Sequence, residues 1–190
     1  VDVHVIDVAD PGPPTTRSHP TGELTGTGDE DARSVDSNDD RWADPALCHG
    51  SFVTSIVEIG SGVRATIWEA SDPLGDIDDT SLVTALKAVV VASKPAMVRI
   101  LNLSLSGYNE DDHPNELLAG QIAAMIGDGW VIVAAAGNNA SCRLAWPAAL
   151  PGVVAVGALS DFAPAWFSNY GPWVDVSAPG VDVIRRFAVA

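Results

Sequence analysis

The chain has 190 residues, 47% of them hydrophobic, which is enough to bury a core and fold as one domain. Its 25 acidic and 10 basic side chains give a formal net charge of -15, which repels phosphate backbones and anionic lipids and argues against nucleic acid or a membrane as a partner. The longest apolar runs, such as residues 130–136, are far too short to span a bilayer. The two cysteines, Cys48 and Cys142, make no disulfide framework.

The first predicted element is a strand over residues 1–6, where valines alternate along the chain until Asp7 and a Pro/Gly-rich segment. An acid just past the carboxyl end of a strand lies where open α/β sheets place their ligand chemistry. An aspartate that only initiates a turn fits this pattern equally well.

Residues 13–47 are polar and rich in aspartate, which predicts a long acidic surface loop. Carboxylates in such a loop could hold calcium through oxygen ligands, although the EF-hand spacing is absent. A solvated acidic loop is the simpler interpretation.

Next comes a predicted helix with His49 at its N-terminal end, because Phe52, Val53, Ile56 and Val57 share one helical face. The partial positive charge of a helix N-terminus favours a neutral imidazole, the form that a general base needs. A histidine at a helix start is nevertheless more often structural than catalytic.

The remaining elements alternate between strand and helix, which implies a parallel, doubly wound sheet with right-handed crossovers. The predicted strands are 64–70, 97–105, 130–136 and 153–159, and the helices follow 76–80 and cover 115–129. Largely apolar runs indicate that strands 97–105 and 130–136 are buried, the first on both faces.

Several segments, in chain order, resemble the subtilisin-like serine peptidases. The first two are similar to the family's strand ending in the catalytic aspartate and to its Gly-His-Gly-Thr segment. The next two resemble its cleft-lining Asn-x-Ser-Leu-Gly-Gly strand and its strand ending in the oxyanion asparagine. The last two resemble its Tyr-Pro-Ala and Ala-Pro-Gly blocks. These segments are Val5-Ile6-Asp7, Cys48-His49-Gly50-Ser51-Phe52-Val53, and residues 100–107, 131–138, 146–158 and 167–180.

The resemblance implies an α/β fold, with a three-layer, doubly wound, mostly parallel sheet and helices on both faces. It implies one peptidase domain over residues 1–190, incomplete at its carboxyl end. It also implies the catalytic residues of a peptidase: His49 as general base, Asp7 as the group that orients it, and Asn138 as oxyanion donor. An asparagine that caps a turn after a strand is the plainer interpretation of Asn138. The implied substrate-binding edge is Ser104, Leu105, Ser106 and Gly107, to which an extended peptide adds as a strand.

The chain departs from the family in its nucleophile. No serine within residues 1–190 stands in the family's Gly-Thr-Ser-Met-Ala context, so we expect these residues alone to be inactive. Cys48 beside His49 suggests a Cys-His dyad, but neighbouring side chains point in different directions. A non-catalytic peptide-binding or regulatory domain is the alternative function. A nucleotide-binding domain is disfavoured because Asp10-Pro11-Gly12 supplies no Gly-x-Gly-x-x-Gly turn.

The expected partners are therefore peptide or protein substrates. The absent helix would also leave apolar surface through which the chain could associate. No cofactor is certain, with calcium as the candidate metal, and the resemblance slightly favours secretion.

Overall fold

The computed structural model describes residues 1–7, 45–71, 76–95 and 98–183. In these ranges the strands are β1 (Asp2–Asp7), β2 (Ala65–Glu69), β3 (Arg99–Leu103), β4 (Trp130–Ala135), β5 (Val153–Ser160), β6 (Ala163–Pro164) and β7 (Val176–Pro179). The helices are α1 (Pro45–Ser61), α2 (Asp79–Ala92) and α3 (Glu116–Gly127). All long predicted elements are present, whereas the short, exposed β6 and β7 were not predicted from periodicity.

Helix α1 corrects the predicted loop boundary. Residues 13–44 of the predicted acidic loop lie outside the described residues, but 45–47 are helical. Proline favours the first helical position, where its missing N–H has no partner to lose, so Pro45 suits the helix start. The helix ends before Gly62, whose φ of 67° suits glycine and whose N–H donates to the Glu58 carbonyl. Across the described ranges, no helix combines the length and apolarity needed to cross a membrane.

The strands form one sheet in the order β2-β1-β3-β4-β5-β6, with β7 also pairing with β5. Every pairing is parallel except that of β5 with β6. Because parallel strands point the same way, the carboxyl ends of β1, β3 and β4 lie along one edge of the sheet. The predicted mostly parallel, doubly wound α/β fold is confirmed.

Helices lie on both faces of the sheet. On one face, α2 and α3 bury the main core, which includes Leu86, Leu101 and Ile132. On the other face, Val53 and Val57 of α1 pack against a smaller cluster formed by Val3, Val5 and Ala65. The helical face predicted for α1 is thus correct for its two valines, whereas Ile56 is 38% exposed.

Strands β3 and β4 are fully buried on one face only, which contradicts the prediction that the first of them is buried on both faces. Leu101 and Leu103 of β3 are completely buried, while Ile100 and Asn102 point to the opposite face and are partly exposed. In β4, Val131 is 44% exposed on that same opposite face. We call this region, together with the exposed β7 beside β5, the open sheet face. An apolar stretch of sequence indicates that a surface is suited to burial. It does not show that another part of the molecule covers that surface.

Leu101 lies completely buried in the main core, so we expect the stability of the fold to depend strongly on it. Leu101→Ala should lower the free energy of unfolding by about 2–5 kcal/mol, because it removes buried methyl groups and leaves a cavity. Val91→Ala is the control, since Val91 is 87% exposed and its loss should change stability by less than about 0.5 kcal/mol. Urea unfolding followed by tryptophan fluorescence measures both, and equal effects would contradict the assigned core.

Candidate active site

Asp7 and His49, which are separated by 42 residues in sequence, form a hydrogen-bonded pair. The Nδ1 atom of His49 lies 2.7 Å from Oδ1 of Asp7. Asp7 ends β1 and is only 2% exposed, whereas the His49 side chain, on α1, is 44% exposed. A carboxylate that accepts from Nδ1 leaves Nε2 as the proton-accepting nitrogen of a neutral imidazole. Among the described residues, no serine hydroxyl forms a hydrogen bond with Nε2.

The hydrogen bond that His49 Nδ1–H donates to the Asp7 carboxylate raises the pKa of His49. Partial burial of the imidazole opposes this shift, and the negative charge of Asp7 adds to it. The sequence predicted the opposite influence, a helix N-terminus that favours neutral imidazole. That expectation is wrong because His49 lies beyond the first turn of α1, and a carboxylate at 2.7 Å outweighs the helix end.

A cleft of about 580 Å³ opens at the carboxyl edge of the sheet, with Asp7 and His49 in its wall. The predicted substrate-binding residues Ser104, Leu105, Ser106 and Gly107 also line it. The structure therefore brings the predicted pair and the predicted edge to one cavity. The rest of the wall includes Asp76, Asp78 and Asp79 before and at the start of α2, together with Tyr108 and Trp146.

Within the predicted edge, Gly107 differs from its neighbours. Its N–H donates to the Trp146 carbonyl and its carbonyl accepts from the Trp146 N–H, both at 2.9 Å. This antiparallel bridge already uses the backbone groups that a peptide strand would need. Gly107 therefore joins two segments of the cleft wall, whereas Ser104, Leu105 and Ser106 take no part in this bridge. The Ser104 hydroxyl accepts from the Asn102 side chain at 2.9 Å.

Asn138 lies in the loop after β4, at the same edge of the sheet as Asp7. Its side chain is exposed and does not line the cleft wall described above. The loop is hydrogen-bonded to the buried Asn169, a residue that periodicity and motif spacing did not single out. In the sequence, Asn169 lies within residues 167–180, a segment that resembles the family, but the resemblance assigns no role to Asn169 itself.

The described residues contain no cluster of three or more His, Cys, Asp or Glu side chains that suits a metal ion. The acidic segment considered for calcium, residues 13–44, lies outside the described residues, as does the Cys48 side chain. No step of the chemistry below is derived through a metal. Cys142 is exposed and not disulfide-bonded.

Comparison with known proteins decides the family. The sequence profile of the Subtilase family matches residues 5–187. The chain belongs to the subtilase family. This confirms the resemblance inferred from the sequence motifs.

Curated relatives of this subtilase are named as proteinases. A thermophilic serine proteinase from Bacillus sp. (strain AK1) is 39% identical over 64% of the chain and 27% of its own length. The subtilase-type proteinase RRT12 of Saccharomyces cerevisiae is 38% identical over 71% of the chain and 29% of its own length. The chain thus spans less than a third of either relative.

Solved structures support the fold. The self-cleaved protease domain of PatA aligns with a TM-score of 0.66 and 24% identity, over 95% of the subtilase chain and 67% of the PatA chain. At this identity the likeness shows the fold alone.

Asp7→Asn should lower the pKa of His49. The change removes the charge that favours imidazolium, while the burial that disfavours it stays. Asp78→Asn is a matched control, because Asp78 lines the same cleft but accepts a hydrogen bond from the Ser81 N–H. NMR titration of the His49 ring proton, assigned with His49→Gln, measures the shift. If Asp7→Asn and Asp78→Asn changed the pKa of His49 equally, the hydrogen bond with Asp7 would not be what determines it.

Proposed function

We propose that this subtilase domain hydrolyses peptide bonds as part of a serine endopeptidase. The observation that carries the proposal is the 2.7 Å hydrogen bond between a buried carboxylate and an imidazole in the wall of a cleft. Serine-peptidase chemistry needs this arrangement, because the base must present Nε2 to a hydroxyl while a carboxylate stabilises the imidazolium.

In the proposed mechanism, His49 Nε2 removes the proton from a serine hydroxyl as the oxygen attacks the peptide carbonyl. Asp7 holds the imidazole in the required tautomer and stabilises its cation. The carbonyl oxygen becomes negative, and the side-chain amide of Asn138 donates to it. His49 then passes its proton to the leaving amine as the C–N bond breaks, and water resolves the acyl enzyme in the same way.

The proposal assigns the nucleophilic role to no serine of residues 1–190. We expect a segment with the family's Gly-Thr-Ser context to supply the nucleophile. Without that segment, residues 1–190 are proposed to be inactive. The alternative is a non-catalytic peptide-binding or regulatory pseudopeptidase, which would use the cleft without a nucleophile.

Peptide substrates are proposed to lie extended against Ser104, Leu105 and Ser106, with their scissile bond near His49. An extended peptide gains affinity through main-chain hydrogen bonds to an exposed edge. A secreted location is proposed from the family resemblance alone.

The proposal fixes the direction of pH dependence. General-base catalysis needs neutral imidazole, and Asp7 raises the pKa of His49. Activity should therefore rise with pH through an apparent pKa above the ordinary histidine value of about 6.5. For folding the sign is opposite: the pair's stabilising contribution is fully present below about 6.5 and is lost as pH rises through the raised pKa.

Two proteins test the function. Purified residues 1–190 should release no product from a casein or peptide substrate above background, and turnover would mean that another nucleophile acts. A longer protein carrying these residues and a Gly-Thr-Ser segment should react with a fluorophosphonate probe. His49→Ala there should lower kcat by about 10⁴-fold or more, because the serine loses its base.

His113→Ala is the control for that experiment, since His113 is exposed and does not line the cleft. Probe labelling that survives His49→Ala would remove His49 from the role of base. A longer protein that binds peptides but neither reacts with the probe nor hydrolyses them would support the pseudopeptidase.

We also propose that isolated residues 1–190 self-associate through the open sheet face. Val131 and Val176 are 44% and 51% exposed there, and covering them removes apolar area from water. Val131→Lys should weaken the association by about tenfold, because the ammonium group would have to lose water. Val91→Lys on α2 is the control. Sedimentation velocity at several concentrations measures both, and a monomer throughout would contradict the proposal.

A further inference from the structure

Asn169 is a polar side chain buried beneath the loop that carries Asn138. It is only 2% exposed and follows the Phe167-Ser168 pair. We propose that Asn169 is a positioning residue, which fixes the Asn138 loop, residues 136–141, against the cleft wall. The inference rests on the proposed function, since it assigns Asn169 to the presentation of the oxyanion donor.

The side-chain oxygen of Asn169 holds the loop from below. Oδ1 accepts from the backbone N–H of Asn139 at 3.0 Å and from that of Ser141 at 3.1 Å. The Asn169 N–H donates to the Gly137 carbonyl at 2.9 Å. Asn138 lies between residues that are all bonded to Asn169, so its backbone has little freedom to move independently of Asn169.

The side-chain nitrogen of Asn169 connects the loop to the cleft. Nδ2 donates to the Ala136 carbonyl and to the Tyr108 hydroxyl, both at 2.7 Å. Tyr108 lines the cleft that contains His49. One amide group therefore bonds to both ends of the Asn138 loop and to a residue of the cleft wall.

The close approach of the loop supports this role. Gly137 has a φ of 102°, a conformation that suits glycine. A Cβ added at Gly137 would lie 2.6 Å from Nδ2 of Asn169 and 2.7 Å from the Ser106 hydroxyl. At Gly137 the loop thus packs so closely against Asn169 and Ser106 that no side chain fits there.

Asparagine fits this position because its amide combines an oxygen that accepts twice with a nitrogen that donates twice. The four contacts use all of this capacity. A buried amide that fills every hydrogen-bonding position resists displacement, since any shift leaves polar atoms without partners.

Asn169→Ala tests the inference against a matched control, Asn115→Ala. Asn115 caps α3, and its side-chain oxygen likewise accepts from two backbone N–H groups, those of Leu117 and Leu118. In the chain of residues 1–190, Asn169→Ala should speed hydrogen exchange of the Asn139 and Ser141 amides by about tenfold. Asn115→Ala should leave those two amides unchanged. Equal exchange of the two amides in both variants would overturn the proposal.

Activity supplies the second readout, in the longer protein that carries the nucleophile. Asn169→Ala should lower kcat by about tenfold or more while KM changes by less than about threefold, because a displaced oxyanion donor weakens the transition state rather than substrate binding. Asn115→Ala should leave kcat unchanged. A raised KM with constant kcat would assign Asn169 to substrate binding and overturn the positioning role.

Asn169→Asp is the rescue variant and also serves where the alanine variant does not fold. Its protonated carboxyl keeps an oxygen that can accept from Asn139 and Ser141 and a hydroxyl that can donate to the Ala136 carbonyl, whereas a carboxylate would set two acceptors against each other. Measured at acidic pH, exchange of the two amides should therefore stay within about threefold of wild type at the same pH. Loss of their protection in a folded Asn169→Asp protein would count against the proposal. The exchange measurements need no catalysis. An inactive wild type would therefore refute the proposed function, while the exchange data would still decide whether Asn169 fixes the loop.

Discussion

The hydrogen bond between Asp7 and His49 is the interaction on which the functional account depends. Burying a carboxylate to 2% exposure is costly unless the group finds hydrogen-bond donors, so the fold has to bring a donor to the end of β1. That donor comes from α1, which packs its valines on the neighbouring smaller cluster. The packing of one helix on one sheet face thus fixes an imidazole 2.7 Å from a carboxylate. The same contact sets the direction of the His49 pKa.

The parallel sheet explains why distant residues meet at this point. β1 lies between β2 and β3, and β4 follows β3, so the segments after β1, β3 and β4 leave the sheet at one edge. Asp7 is the last residue of β1, and the segments after β3 and β4 carry residues 104–107 and Asn138. A sheet edge supplies rough proximity but no orientation for an exposed loop. Asn169, which arrives from beyond β5, supplies the bonds that orient the loop around Asn138.

Much of the fold was predictable because hydrophobic periodicity reports which face of an element meets the core. The Asp7–His49 pairing came from motif resemblance, since spacing alone left Asp7 open between a turn and a ligand site. Other features depend on three-dimensional contacts that no pattern records. The backbone N–H and carbonyl of Gly107 are hydrogen-bonded to Trp146. The four hydrogen bonds of the Asn169 side chain can be recognised only once its partners are placed around it. The pKa direction of His49 likewise required the actual distance to Asp7.

The open sheet face shows what an apolar run does and does not encode. Residues such as Val131 and Ile100 have the apolarity of a covered surface, yet in the described residues they remain partly exposed. Each buried Å² of such surface is worth about 25 cal/mol, so a segment or second molecule that packs there gains free energy. Strands β3 and β4 also hold the loops that form the cleft. Covering the open sheet face should therefore stabilise β3 and β4 and, with them, the sheet edge where Asn138 lies. In this way the packing of the sheet affects the geometry of the site.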